Sequence, residues 1–125
     1  MVPIIEPEVD INAADKRDCE DLLRENLREQ LAKLDGELPV IFKLTLPETD
    51  NFYQEFTSHP KVLRVVALSG GYSREESNEK LANNQQVIAS FSRALTEGLH
   101  AEQSADDFSA MLGSTVESIA AASAT

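Results

Sequence analysis

Four short apolar runs in this chain are each followed by a stretch with helical spacing. That alternation limits the fold more than any other feature, because strand–helix repeats build right-handed βαβ units around a parallel sheet. The runs fall at residues 2–9, 40–46, 62–69 and 87–91. Helices are expected at 15–34, 50–59, 73–83 and 92–98, with one more opening at Ser104. Four such units amount to half of an eight-stranded β/α barrel, which takes about 250 residues when complete. A small doubly wound sheet is the alternative, and periodicity alone does not choose between them. The 125 residues make a single small domain, 1–125, a partial one if it is half of a barrel.

The second run, Val40-Ile41-Phe42-Lys43-Leu44-Thr45-Leu46, has six apolar or β-branched residues in seven. Alternation puts Val40, Phe42, Leu44 and Leu46 on one face and Ile41, Lys43 and Thr45 on the other. A lone ammonium there needs a partner, a path to water, or loss of its proton. A lysine that gives up its proton is a nucleophile toward carbonyls. The plainer reading is an edge strand with a lysine that guards against aggregation. In the first run Glu6 and Glu8 share a face, roughly 6.5–7 Å apart along the strand. Pro3 and Pro7 remove ladder donors, so this strand should lie at an edge or pair only briefly.

The helix at 15–34 carries Cys19, Leu22, Leu23, Leu27, Leu31 and Leu34 at helical spacing, and Gly36 stops it. Phe52, Tyr53 and Phe56 form the apolar side of the next. Ser73 with Glu76 is a capping box, and Ser104 with Asp107 marks the last helix start. Phe108, Met111, Leu112, Val116 and Ile119 then make one apolar stripe. The tail from Ala120 to Thr125 is small and weakly specified.

The net charge is −11, which makes nucleic acid and anionic membrane poor partners for the surface as a whole. One cysteine, Cys19, rules out an internal disulfide and fits a reducing, cytoplasmic setting. No run is long enough to span a bilayer. The chain opens directly on an apolar strand with no basic leader, as a domain entered partway would. No His, Cys or carboxylate set has metal-ligand spacing, so neither a metal nor another cofactor is expected. His59, His100 and Arg64 read as surface residues.

Parallel β/α folds gather functional side chains at the carboxyl ends of their strands. Here that rim would bring together Glu6, Glu8, Lys43, Ser69 and Arg93. An amine adds to a carbonyl, an acid/base moves the protons of the carbinolamine, and a cradle holds a phosphate. Ser69-Gly70-Gly71 lets backbone approach closely, and Arg93 adds a charged fork.

Four stretches carry a resemblance over essentially the whole chain: Val2-Pro3-Ile4-Ile5-Glu6-Pro7-Glu8-Val9, Phe42-Lys43-Leu44-Thr45-Leu46-Pro47, Leu68-Ser69-Gly70-Gly71, and Ala89-Ser90-Phe91-Ser92-Arg93-Ala94-Leu95. Together they closely resemble class I fructose-bisphosphate aldolase of the bacterial type. The resemblance implies an α/β fold: strands five to eight, with the C-terminal helix, of an eight-stranded parallel β/α (TIM) barrel. It also implies a lyase of glycolysis that cleaves fructose 1,6-bisphosphate reversibly to dihydroxyacetone phosphate and glyceraldehyde 3-phosphate, without metal. On it, Lys43 is the Schiff-base lysine, Glu6 the proton acceptor and donor, and Glu8 a neighbour of Lys43. Ser69, Gly70, Ser92 and Arg93 hold a substrate phosphate, although the family often has glycine at the position of Ser92. The family's first four strands supply an aspartate and two more lysines that this chain lacks. The tyrosine that ends some animal members is replaced by Ser123-Ala124-Thr125. The implied partners are a sugar phosphate and either an N-terminal half-chain or a second copy. A fragment and one chain of a split enzyme both fit. The competing readings are a non-catalytic half-barrel that binds sugar phosphate or a partner chain, and an acidic interaction domain using the last helix.

Overall fold

The computed structural model describes residues 1–36 and 38–125. Strands β1 (Ile4–Ile5), β2 (Val40–Thr45), β3 (Val62–Leu68) and β4 (Val87–Ala89) pair in parallel, in the order β1-β2-β3-β4. Helices α1 (Lys16–Lys33), α2 (Gln54–Thr57), α3 (Arg74–Ala82), α4 (Arg93–Thr96) and α5 (Ala105–Ala122) follow or connect them. The strand order lacks the reversal that a doubly wound sheet requires. β2 lies inside the sheet, so its lysine is not an edge guard.

One face of the sheet is the core. Val40, Phe42, Leu44 and Leu46 of the second run are all buried, with Val65, Ala67 and Val87 beside them. Leu27 and Leu31 of α1, Phe56 of α2, Leu81 of α3 and Ala122 of α5 pack on this same face. Phe42 and Phe56 meet edge to face with centroids 5.4 Å apart. The opposite face carries Ile41, Lys43, Arg64 and Val66, none of them fully buried. At its amino end β3 carries an extra residue: Val40 pairs with Val62 but Ile41 pairs with Arg64. Leu63 is the residue left over, which is why a leucine within a strand is exposed.

β1 shows what two prolines do. Ile41 N–H donates to the Pro3 carbonyl at 2.9 Å, and the paired stretch is only Ile4–Ile5. By alternation residues 3, 5, 7 and 9 face β2. Pro7 has no N–H to continue the ladder. The strand is at an edge and short, as its composition predicts.

Two helical stripes differ from expectation. In α1 the buried residues are Lys16, Glu20, Leu27 and Leu31, while Leu22 is 62% exposed and Cys19, Leu23 and Leu34 are partly buried. The first turns of α1 lie against the carboxyl end of β2, where backbone groups need polar partners, so charge rather than leucine is buried there. In α5 the buried residues are Thr115, Ile119 and Ala122, while Phe108 and Val116 are exposed. The face of α5 against α3 is polar: Arg74 Nη1 donates to Thr115 Oγ1 at 2.8 Å, and Asn78 Nδ2 donates to Ser118 Oγ at 3.3 Å.

Two further expectations change. The second helix shrinks to Gln54–Thr57 because Asn51, in the left-handed region at φ 59°, interrupts it. The tail is specified after all. Ser123 Oγ accepts the Ala89 N–H at 3.1 Å on the outer edge of β4, and the Thr125 carbonyl accepts the Gln86 N–H at 3.3 Å.

The two leucines of α1 test its burying face. Leu31→Ala should cost about 2–5 kcal/mol in urea denaturation. Leu22→Ala should stay within about 0.5 kcal/mol. Equal losses would contradict the packing described.

Candidate active site

The carboxyl end of the sheet gathers the candidate side chains. Lys43, on the open face of β2, is 29% exposed at its side chain, and its Nζ lies 2.8 Å from Glu6 Oε2. The lone ammonium has both a partner and water. Glu6 stands one residue beyond β1, where the Ile5–Phe42 register, continued by one residue, falls on Lys43. Glu8 turns elsewhere. Its Oε1 is 4.0 Å from Arg93 Nη2, and no Glu8–Lys43 bond occurs among the described residues.

Between the two glutamates and α1, residues 9–12 cross the rim. Val9 N–H donates to the buried Thr45 Oγ1 at 2.9 Å. Ile11 rests on the turn after β3. A Cβ built on Gly70 would come within 2.9 Å of Ile11 Cγ2, and Gly70 has φ 63°, so close approach and backbone both demand glycine. Ser69, just before it, is 4% exposed. β3 and β4 are neighbours, joined past their ladder by Ser90 N–H donating to the Ala67 carbonyl at 2.8 Å. The Ser69-Gly70 turn and the Ser92-Arg93 turn therefore lie side by side. Ser92 caps α4 without a side-chain hydrogen bond, and Arg93 opens that helix with its side chain 71% exposed.

Chemically, an amine beside a carboxylate can add to a carbonyl and have its protons moved. The paired turns and a guanidinium can hold an anion. Among the described residues no group of three or more His, Cys, Asp or Glu is placed for a metal ion, and no helix is long and apolar enough to cross a membrane. His59 is half-buried rather than exposed, and its Nδ1 accepts the Lys61 N–H at 3.2 Å.

Sequence reasoning missed the polar anchor behind the rim. Lys16 and Glu20 form a buried ion pair. Lys16 Nζ also donates to the Leu46 carbonyl at 3.1 Å and pairs with Glu48 at 3.2 Å. Glu20 accepts the Glu48 N–H on both oxygens. Tyr72 donates its hydroxyl to Glu48 at 3.1 Å, and Lys80 lies over the Tyr72 ring. Burial works against the Glu48 carboxylate, but the hydrogen bonds from Lys16 and Tyr72 and the charges of Lys16 and Lys80 outweigh it. Its carboxyl is held below the ordinary glutamate range. Burial first, and then the hydrogen bond to Glu48, push the Tyr72 hydroxyl up. The only trace of this network in the sequence is an i,i+4 Lys–Glu pair, which reads like any solvated helix pair.

No protein-family model matches the chain. It is 53% identical over 123 residues to the class 1 fructose-bisphosphate aldolase of Porphyromonas gingivalis. The alignment takes in 98% of this chain and 41% of that protein's length.

Two measurements check this description. Gly70→Ala should cost roughly 1–3 kcal/mol, since it adds a clash to a left-handed backbone. A neutral substitution would contradict the Ile11 contact. Glu48 has a lowered carboxyl, so its contribution to stability is present above 4.5 and is lost as pH falls below that value. The urea midpoint of the wild type should therefore fall more steeply on acidification than that of Glu48→Gln.

Proposed function

We propose that this chain is the carboxyl-terminal half, strands five to eight and the last helix, of a class 1 fructose-bisphosphate aldolase built as an eight-stranded β/α barrel. The reaction is the reversible cleavage of fructose 1,6-bisphosphate to dihydroxyacetone phosphate and glyceraldehyde 3-phosphate in cytoplasmic glycolysis. The observation that carries the reading is the 2.8 Å contact between Lys43 Nζ and Glu6, at the positions where the resemblance expects the Schiff-base lysine and its proton carrier. The identity to the P. gingivalis aldolase supports it.

In this mechanism the free amine of Lys43 adds to the substrate ketone and gives a carbinolamine. Glu6 delivers a proton to the departing hydroxyl, water leaves, and a protonated Schiff base remains. That iminium takes up the electron pair of the breaking carbon–carbon bond as an enamine, the hydroxyl on the departing carbon gives its proton to a base from outside this chain, and the aldehyde leaves. Ser69, Gly70, Ser92 and Arg93 hold a phosphate of the substrate. The resemblance makes Glu8 a neighbour of Lys43, and here it lies 4.0 Å from the Arg93 guanidinium. The remaining acid and lysines come from an N-terminal half-chain or from a second copy.

A second reading is a non-catalytic half-barrel that binds sugar phosphate or a partner chain. It is favoured by the open face and edge, where Ile4 and Ile5 are 52% and 42% exposed.

Borohydride reduction in the presence of dihydroxyacetone phosphate separates the two. The first reading expects one stable adduct, at Lys43, absent from Lys43→Arg and formed about 10²-fold more slowly in Glu6→Gln. A folded chain with no adduct would leave the half without catalytic power of its own.

A further inference from the structure

Thr45 is the next residue after Lys43 on the same face of β2, and it is 1% exposed. A buried hydroxyl must spend its hydrogen bonds on something. This one accepts the N–H of Val9 at 2.9 Å. The partner is informative. In a regular parallel ladder Val9 would donate to a β2 carbonyl, two residues after Pro7. Pro7 cannot donate, and β1 has left the ladder after Ile5. The Thr45 hydroxyl takes over at the first position where an amide again faces β2. The segment between Ile5 and Val9 is then pinned at both ends, and it contains both Glu6 and Glu8. The other half of the Thr45 side chain is also in use: a Cβ built on Gly70 would meet Thr45 Cγ2 at 3.4 Å, so the methyl lies against the turn after β3.

We infer that Thr45 is a positioning residue that sets the Glu6 carboxylate against the Lys43 amine by holding the Val9 amide with its hydroxyl. The inference rests on the reading of Lys43 and Glu6 given above, and it adds a residue that touches neither substrate nor reacting atoms. Its strand is held from the other side as well. Lys16 grips the Leu46 carbonyl and Glu20 grips the Glu48 amide, so β2 is the fixed member and the 6–9 segment the one that Thr45 positions. The two faces of threonine can be separated by substitution. Thr45→Val keeps the shape and the methyl and removes the acceptor. Thr45→Ser keeps the acceptor and removes the methyl.

The test is competitive acylation of lysines with acetic anhydride, read peptide by peptide by mass spectrometry, with exposed Lys33 as internal reference. Glu6→Gln should change the Lys43 rate by removing its partner. Thr45→Val should change it in the same direction, by roughly three- to tenfold, the scale of one hydrogen bond. Thr45→Ser should label like wild type. A Lys43 rate in Thr45→Val equal to wild type would overturn the inference, and so would a Thr45→Ser rate that follows Thr45→Val. Hydrogen exchange on the wild type decides the matter even if Thr45→Val does not fold: the Val9 amide should exchange as slowly as those of β2, and an unprotected Val9 would overturn the role. None of these readings uses dihydroxyacetone phosphate. If the wild type traps no adduct, the aldolase reading of the lone chain falls while the acylation series still decides the role of Thr45.

Discussion

Parallel strands laid down in chain order can be covered by their own helices on one side only. Each right-handed crossover returns the chain to the same face. The division of this sheet into a covered face and an open face follows from that constraint. The covered face takes Phe42, Leu44, Val65 and the helix residues packed on them. The other face of the same strands is left to whatever side chains can live beside water. Lys43 can occupy the middle of an apolar strand because its face is the uncovered one, and because the next strand brings a carboxylate to it.

The rim at the carboxyl end is held by polar contacts rather than by packing. Strands stop there, and their last carbonyl and amide groups have no ladder to join. Lys16 and Glu20 meet those of Leu46 and Glu48, Thr45 meets that of Val9, and the Ser69 carbonyl accepts the N–H of Tyr72. A buried lysine and a buried glutamate are costly alone, but each satisfies backbone as well as the other's charge. The result is a hydrogen-bonded frame beside the Lys43–Glu6 pair.

What the sequence disclosed and what it hid divide along the range of the interactions. The alternation from Val40 to Leu46, the capping at Ser73–Glu76 and Ser104–Asp107, and the short pairing of the proline-bearing β1 are decided by neighbours in the chain, and they were legible. Leu63 was not, because an extra residue in β3 exists only relative to its partner β2. Lys16 and Glu20 were not, because their burial depends on where β2 ends. The α5 stripe misled for the same reason: which side of a helix is buried depends on what it meets, and α5 meets Arg74 and Asn78. Within the site, Lys43, Glu6 and the Gly70 turn could be named from types and spacing. The pairing of Glu8 with Arg93 joins the ends of the two outermost strands and needs the curvature of the sheet to occur.

The prolines of β1 have one more consequence. Both Pro3 and Pro7 sit at positions that face β2, so they shorten pairing inward and leave the outward row untouched. The amides of Ile4 and Glu6 point away from the sheet, along an edge with no partner strand among the described residues. Such an edge invites another chain to add a strand. What stands against this is charge: Glu6 and Glu8 on that same strip, within a molecule of net charge −11. Colloidal stability and the proposed chemistry thus draw on one carboxylate. Losing the charge of Glu6 would take away the partner of Lys43 and, in the same step, lower the barrier that keeps one molecule's edge from another's.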